Sequence, residues 1–213
     1  MAEASAIPAG VRLGVATHNA HKVGEIWAIL GPLVPGVTRD AVADAGSLGA
    51  PVPVEDGVTF EANALIKARA LCAATGLPAI ADDSGIAVGV LGGAPGVFSA
   101  RWAGSHGDDT ANLRLLLDQL GDVPDEHRDA MFVCAAALVM PDGLEYVEVR
   151  RMPGRIAREP AGGGGFGYDP IFVADGFGVT TAELTPEQKN QISHRGAAFR
   201  ALAPHVAAAL AQR

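Results

Sequence analysis

The stretch "IADDSGIAV" (Ile80–Val88) sets two adjacent carboxylates between two apolar runs. "PAIADD" (Pro78–Asp83) reads as a short buried strand, Ser84 and Gly85 as a turn, and "GIAVGVL" (Gly85–Leu91) as a second strand. A carboxylate at the end of a buried strand loses its hydration unless it is paired, hydrogen-bonded or bound to a metal. Successive side chains of a strand point to opposite faces. Asp82 and Asp83 can therefore share one pocket only if the strand has already ended. One of the two is expected to serve a site, and the other to anchor the turn, for instance by accepting backbone N–H groups.

The surrounding sequence places that strand in an α/β fold. "VRLGVA" (Val11–Ala16) reads as a first strand and "KVGEIWAILG" (Lys22–Gly31) as the helix after it. A second helix is expected over "EANALIKARALCAAT" (Glu61–Thr75), ended by Gly76 and Pro78. Its Asn63 and Lys67 are four apart and share one face, either as a polar stripe toward a site or as surface. "LGGAPGVFSARWAGS" (Leu91–Ser105) reads as loop. "DDTANLRLLLDQLG" (Asp108–Gly121) is a helix with an Asp or Thr cap. From Arg128, "RDAMFVCAAALVM", the turn "PDG", "LEYVEVRRM" and "GRIARE" form an antiparallel meander. "TPEQ" (Thr185–Gln188) is a capping box, and "SHRGAAFRAL" and "PHVAAALAQR" are two C-terminal helical segments. The sum is a mixed twisted sheet with flanking helices. It forms one domain over residues 1–213, with a composition shift near residue 125 that reads as a second lobe over about 125–175.

The bulk properties narrow the function. A formal net charge of -8 on 213 residues argues against a nucleic-acid partner, which needs a basic face. Cys72 and Cys134 lie in apolar contexts without metal-site spacing and read as buried reduced thiols. The N-terminus lacks the pattern of a signal peptide, and the most apolar run, "MFVCAAALVM" (Met131–Met140), is too short to span a bilayer. The expectation is a cytoplasmic protein without a membrane partner.

Four stretches carry chemistry. "ATHNAHK" (Ala16–Lys22) follows a strand at a helix N-terminus, where backbone N–H groups, Thr17, Asn19 and Lys22 can hold phosphate oxygens, although the glycine-rich P-loop pattern is absent. "PVPVEDGVTF" (Pro51–Phe60) brings Glu55, which can join a strand-end Asp on a hard cation. "GGGGFGYDP" (Gly162–Pro170) is either a flexible hairpin or a place where a planar ligand lies against Phe166 or Tyr168, with Asp169 near a base edge. "KNQISHR" (Lys189–Arg195) gathers Lys189, His194 and Arg195 in an otherwise acidic chain, as a solvated helix end or as donors for anionic or carbonyl oxygens. Together they are the parts for Mg²⁺-dependent chemistry on a nucleoside polyphosphate.

"ATHNAHKVGEI", "TFEANALIKA", "ADDSGIAVGVLGGAPGVFSARWAG", "GGFGYDPIF" and "AELTPEQKNQISHR" resemble, in order, the signature blocks of the non-canonical purine NTP pyrophosphatases, the inosine triphosphate (dITP/XTP) pyrophosphatase family. The resemblance runs from Ala16 to Arg195. It implies an elongated α/β fold with two lobes around a central cleft, a homodimer, and Mg²⁺-dependent hydrolysis of ITP, dITP and XTP to the monophosphate and pyrophosphate. Thr17, His18, Asn19, Ala20, His21 and Lys22 would hold the triphosphate. Asp83 would be the catalytic carboxylate and a metal ligand together with Glu55, and Ser84 would lie beside the substrate. Phe166, Gly167, Tyr168, Asp169, Lys189, His194 and Arg195 would take the base and its surroundings. Donors from the last three would suit the C6 oxygen of inosine and xanthine and leave the amino group of adenine unmatched.

Overall fold

The computed structural model describes residues 7–17 and 20–211, the side chains of residues 20 and 21 excepted. In chain order the strands are β1 (Leu13–Val15), β2 (Val42–Asp44), β3 (Ala79–Val88), β4 (Asp129–Val139), β5 (Glu145–Ile156) and β6 (Phe172–Ala174). The helices are α1 (Ala20–Leu30), α2 (Phe60–Thr75), α3 (Asp109–Gln119), α4 (Pro186–Ile192) and α5 (His194–Ala211), with short 3-10 turns between them. The strands form one mixed sheet in the order β2-β1-β3-β4-β5-β6. β1 runs parallel to both β2 and β3, whereas β6 is antiparallel to β5. The class is α/β, as the sequence implies.

The chain divides into two compact units. The first comprises residues 1–83, 135–149 and 195–213. Its core sets Ala64, Ala68 and Leu71 of α2 with Ala79 and Ala81 of β3 and Ala135, Ala137 and Val139 of β4. Small side chains on all three elements let helix and sheet approach closely. Thr59 starts α2 by accepting the N–H of Ala62 at 3.1 Å, and the N–H of Gly76 closes it on the carbonyl of Cys72 at 2.7 Å. The second unit comprises residues 84–134 and 150–194. Its core joins Ile86 and Val88 of β3, Leu113 and Leu116 of α3, Phe132 of β4, Met152 and Ile156 of β5, and Phe172.

Three expectations change. The strand expected to stop at Asp83 continues to Val88 without a turn. Gly85 allows this because a Cβ there would lie 2.3 Å from Ser99 Oγ and 2.6 Å from the Gly96 carbonyl oxygen. With that space open, Ser99 Oγ accepts the N–H of Ile86 at 2.9 Å. "LEYVEVRRM" and "GRIARE" are likewise one strand, β5. The two C-terminal segments form a single helix, α5, which continues through Pro204. Leu202, Ala203, Val206 and Leu210 are buried on either side of that proline, so packing outweighs the backbone bond it removes. The capping box at Thr185 forms as read, with Gln188 returning the bond and Pro186 at the first helical position.

Gly85→Ala is therefore expected to destabilise the protein by about 1–3 kcal/mol through overpacking. Gly24→Ala, exposed within α1 with nothing near its added methyl, should stabilise by up to about 1 kcal/mol. Urea unfolding of the two variants should show midpoints moving in opposite directions.

Candidate functional site

Because β3 runs unbroken through Asp82 and Asp83, these neighbours face opposite sides of the sheet. Asp83 meets α2. Lys67 Nζ donates to its Oδ1 at 3.0 Å, and Asn63 Nδ2 donates to its Oδ2 at 3.3 Å. The same Lys67 Nζ donates to Glu55 Oε2 at 3.0 Å, so one ammonium links the loop carboxylate to the strand carboxylate. Asn63 and Lys67 are thus not idle surface. The candidate set above leaves them out, although their spacing on one face of α2 is the signal that marks them.

Asp82 meets α5. Arg195 Nε donates to its Oδ2 at 2.9 Å, and both side chains are nearly enclosed, at 8% and 14% exposure. Asp82 does not anchor a turn, since β3 continues through it; its carboxylate takes a guanidinium. Arg195, expected among the base-reading donors, has its Nε engaged by Asp82.

The two carboxylates differ in charge economy. Burial penalises the charge of Asp82, but the cations of Arg195, Lys22 and Lys67 and the Arg195 hydrogen bond outweigh it, holding its pKa well below the ordinary carboxylate range. For Asp83 burial dominates and Glu55 adds repulsion. Lys67 and Asn63 pull the other way without prevailing, so its pKa is raised. Lys67 is itself opposed by burial, yet Asp83, Glu55 and Asp82 raise its pKa and keep it charged. Of the two, Asp83 has the greater affinity for a proton, which suits a general base.

Among the described residues no group of three or more His, Cys, Asp or Glu could hold a metal ion. The donors available are oxygens: Glu55, Asp83, and Asn63 Oδ1, which is buried and lacks a hydrogen-bond partner among the described residues. Two carboxylates without His or Cys fit a hard divalent cation that completes its shell with water and phosphate oxygens.

The second unit organises the glycine run. Asp169 is buried, at 4% exposure. Its Oδ2 accepts the N–H of Phe166 at 2.8 Å and Lys189 Nζ at 2.5 Å, and its Oδ1 accepts Thr181 Oγ1 at 2.8 Å. Gly165 leaves room for this pair, since a Cβ there would come within 2.2 Å of Asp169 Oδ2. Gly162 and Gly164 lie close to Ala182, while the run itself stays exposed. Tyr168 is buried, its hydroxyl donating to the Ser99 carbonyl at 2.8 Å. Phe166 is 56% exposed, with Lys189 Nζ 5.2 Å from its ring centroid. His194 stacks on Phe132 at 4.9 Å. Gly167 donates its N–H to Asp109 Oδ2 at 2.8 Å.

Of the expected phosphate-holding residues, Thr17 follows β1 and is half-buried, and Lys22 lies on α1, where its charge acts on Asp82. His18 and Asn19 lie outside the described residues, as do the side chains of Ala20 and His21. Ser84 is half-buried on β3, directly after Asp83.

Comparison with known proteins adds to this geometry. Residues 13–205 match the model of the Ham1 family. The chain is 58% identical over 195 residues to the dITP/XTP pyrophosphatase of Streptomyces coelicolor, covering 92% of this chain and 96% of that protein. It is 59% identical over 194 residues to the dITP/XTP pyrophosphatase of Leifsonia xyli subsp. xyli, covering 91% and 94%. Among solved structures it is similar to the nucleoside-triphosphatase / dITP/XTP pyrophosphatase of Mycobacterium abscessus, with a TM-score of 0.77 and 51% identity over 91% of this chain and 100% of that one. A HAM1 protein from Coxiella burnetii gives a TM-score of 0.84 at 38% identity, covering 93% and 100%.

The contrast between the two aspartates generates a stability test. Asp82→Asn leaves Arg195 without its buried counter-charge and is expected to cost about 3–5 kcal/mol. Asp83→Asn should leave the unfolding midpoint unchanged or raised, because its burial opposes its charge. The sign of the pH effect follows from the lowered pKa of Asp82. Its contribution is fully present above the unfolded value of about 3.9 and fades as pH falls through the folded value. Urea unfolding across the acid range should show this component in the wild type and lack it in Asp82→Asn.

Proposed function

The chain belongs to the Ham1 family, and from that premise we propose that it hydrolyses non-canonical purine nucleoside triphosphates, dITP, XTP and ITP, to the monophosphate and pyrophosphate, removing deaminated purines from the nucleotide pool. The observation that carries this reading is the Lys67 bridge, which sets Glu55 of the loop before α2 beside the proton-seeking Asp83 of β3.

In this mechanism the Asp83 carboxylate accepts a proton from a water molecule as the water oxygen bonds to the α-phosphorus. The bond from that phosphorus to the bridging oxygen breaks, and pyrophosphate leaves with the bonding pair. Lys67 fixes the carboxylate and remains charged throughout. A divalent cation, Mg²⁺ in our reading, would be held by Glu55 and Asp83 and would neutralise charge on the phosphates. Thr17 and Lys22, with the loop between them, would take the triphosphate, and Ser84 would lie beside it. Phe166 would lie against the base, on a frame formed by Gly167, Tyr168, Asp169 and Lys189. We place the protein in the cytoplasm and, following the family resemblance, read it as a homodimer. No helix among the described residues is long and apolar enough to cross a membrane.

Incubation with a panel of nucleoside triphosphates and Mg²⁺, followed by chromatography, should yield dIMP and pyrophosphate from dITP. Stepwise release of orthophosphate would refute the assignment. Asp83→Asn should lower kcat by about 10²-fold or more, the scale of a general base; dITP turnover near the wild-type rate would remove Asp83 from that role. EDTA should abolish activity and added Mg²⁺ restore it, whereas full turnover in the chelator would exclude the cation.

A further inference from the structure

Two aspartates stand side by side a second time, where α3 begins. Asp108 caps its own helix, its Oδ1 accepting the N–H of Ala111 at 3.0 Å. Asp109 reaches across the second unit. Its Oδ2 accepts the N–H of Gly167, 58 residues later in the chain, at 2.8 Å. The preceding N–H, that of Phe166, donates to Asp169 Oδ2 at 2.8 Å. Two consecutive backbone donors are thus held by carboxylates from two different elements, and the residue between them is the phenylalanine with its ring turned to solvent. A stacking surface binds best when it is ordered before the ligand arrives, because ordering it on binding would weaken affinity.

We propose that Asp109 is a positioning residue. Through the Gly167 N–H it fixes the Phe166 ring as the platform on which the purine base of the substrate stacks, an inference that rests on the reading of Phe166 given above. Asp109 does not touch the base. The ordinary alternative is that an acid in the first turn of α3 merely favours the helix dipole. The two roles separate chemically. Asparagine loses the charge that serves a dipole but keeps an oxygen that can accept the Gly167 N–H, whereas alanine loses both.

The test is steady-state hydrolysis of dITP by the wild type, Asp109→Ala, Asp109→Asn, Phe166→Ala and the double variant Asp109→Ala/Phe166→Ala, with thermal melts alongside. Asp109→Ala should raise KM about tenfold, the scale of a hydrogen bond to a charged group, with kcat within about twofold. Asp109→Asn should restore KM to within about threefold of the wild type, the amide oxygen still accepting the bond. The double variant should show the KM of Phe166→Ala with no further increase, because Asp109 acts through that ring. The inference fails if Phe166→Ala raises KM and Asp109→Ala does not, if the two effects multiply, or if Asp109→Asn is as impaired as Asp109→Ala. It fails also if Asp109→Ala is unfolded at the assay temperature, for Asp109 would then hold the fold and not the platform. An unchanged KM in Phe166→Ala would instead overturn the placement of the base on that ring, and the inference with it.

Discussion

The alternation of side chains along β3 is the constraint on which the first unit depends. A strand that continues through Asp82 and Asp83 must send one carboxylate to each face of the sheet. Neither face can leave a buried charge unanswered. One face is answered by Lys67 and Asn63 of α2, the other by Arg195 of α5. Two identical residues, adjacent in sequence, thereby become a proton acceptor and a structural counter-ion.

Buried ion pairs of this kind are a weak source of net stability, since desolvation offsets much of the attraction. What they add here is register. A one-residue slip of β3 would carry Asp83 to the arginine face and Asp82 to the lysine face, and it would turn Ala79, Ile80 and Ala81 over as well. The apolar packing of α2 on β3 and the polar pairs at Asp82 and Asp83 therefore demand the same alignment. The Lys67 ammonium extends that alignment to the loop before α2, which has no regular structure at Glu55 and is tied there by the ion pair.

Much of the fold is legible in local signals. The Gly76 end of α2, the Asp108 cap of α3, the capping box of α4 and the long apolar run of β4 all fall where the sequence places them. The misreadings are long-range in origin. Ser84 and Gly85 have turn chemistry, and only the approach of Gly96 and Ser99 shows that the glycine is an opening for packing within a strand. Strand β2 has three residues and no pattern of its own; its pairing with β1 defines it. Pro204 signals a helix end that burial overrides. At the site, the Asn63–Lys67 spacing is visible in the sequence, but the partner of each is not. Tyr168 and Asp169 have the chemistry of ligand-binding residues, but their internal partners Ser99, Thr181 and Lys189 are not visible in the sequence.

The division of labour between Asp82 and Asp83 can be observed without substrate. In the metal-free protein with ¹³C-labelled aspartate carboxyls, the two resonances can be assigned from the Asp82→Asn and Asp83→Asn variants and followed through an acid titration. Asp83 should titrate above the ordinary carboxylate value of about 3.9, and Asp82 should remain ionised to the lowest pH at which the fold persists. The reverse order, or two carboxyls titrating together at the ordinary value, would contradict the account.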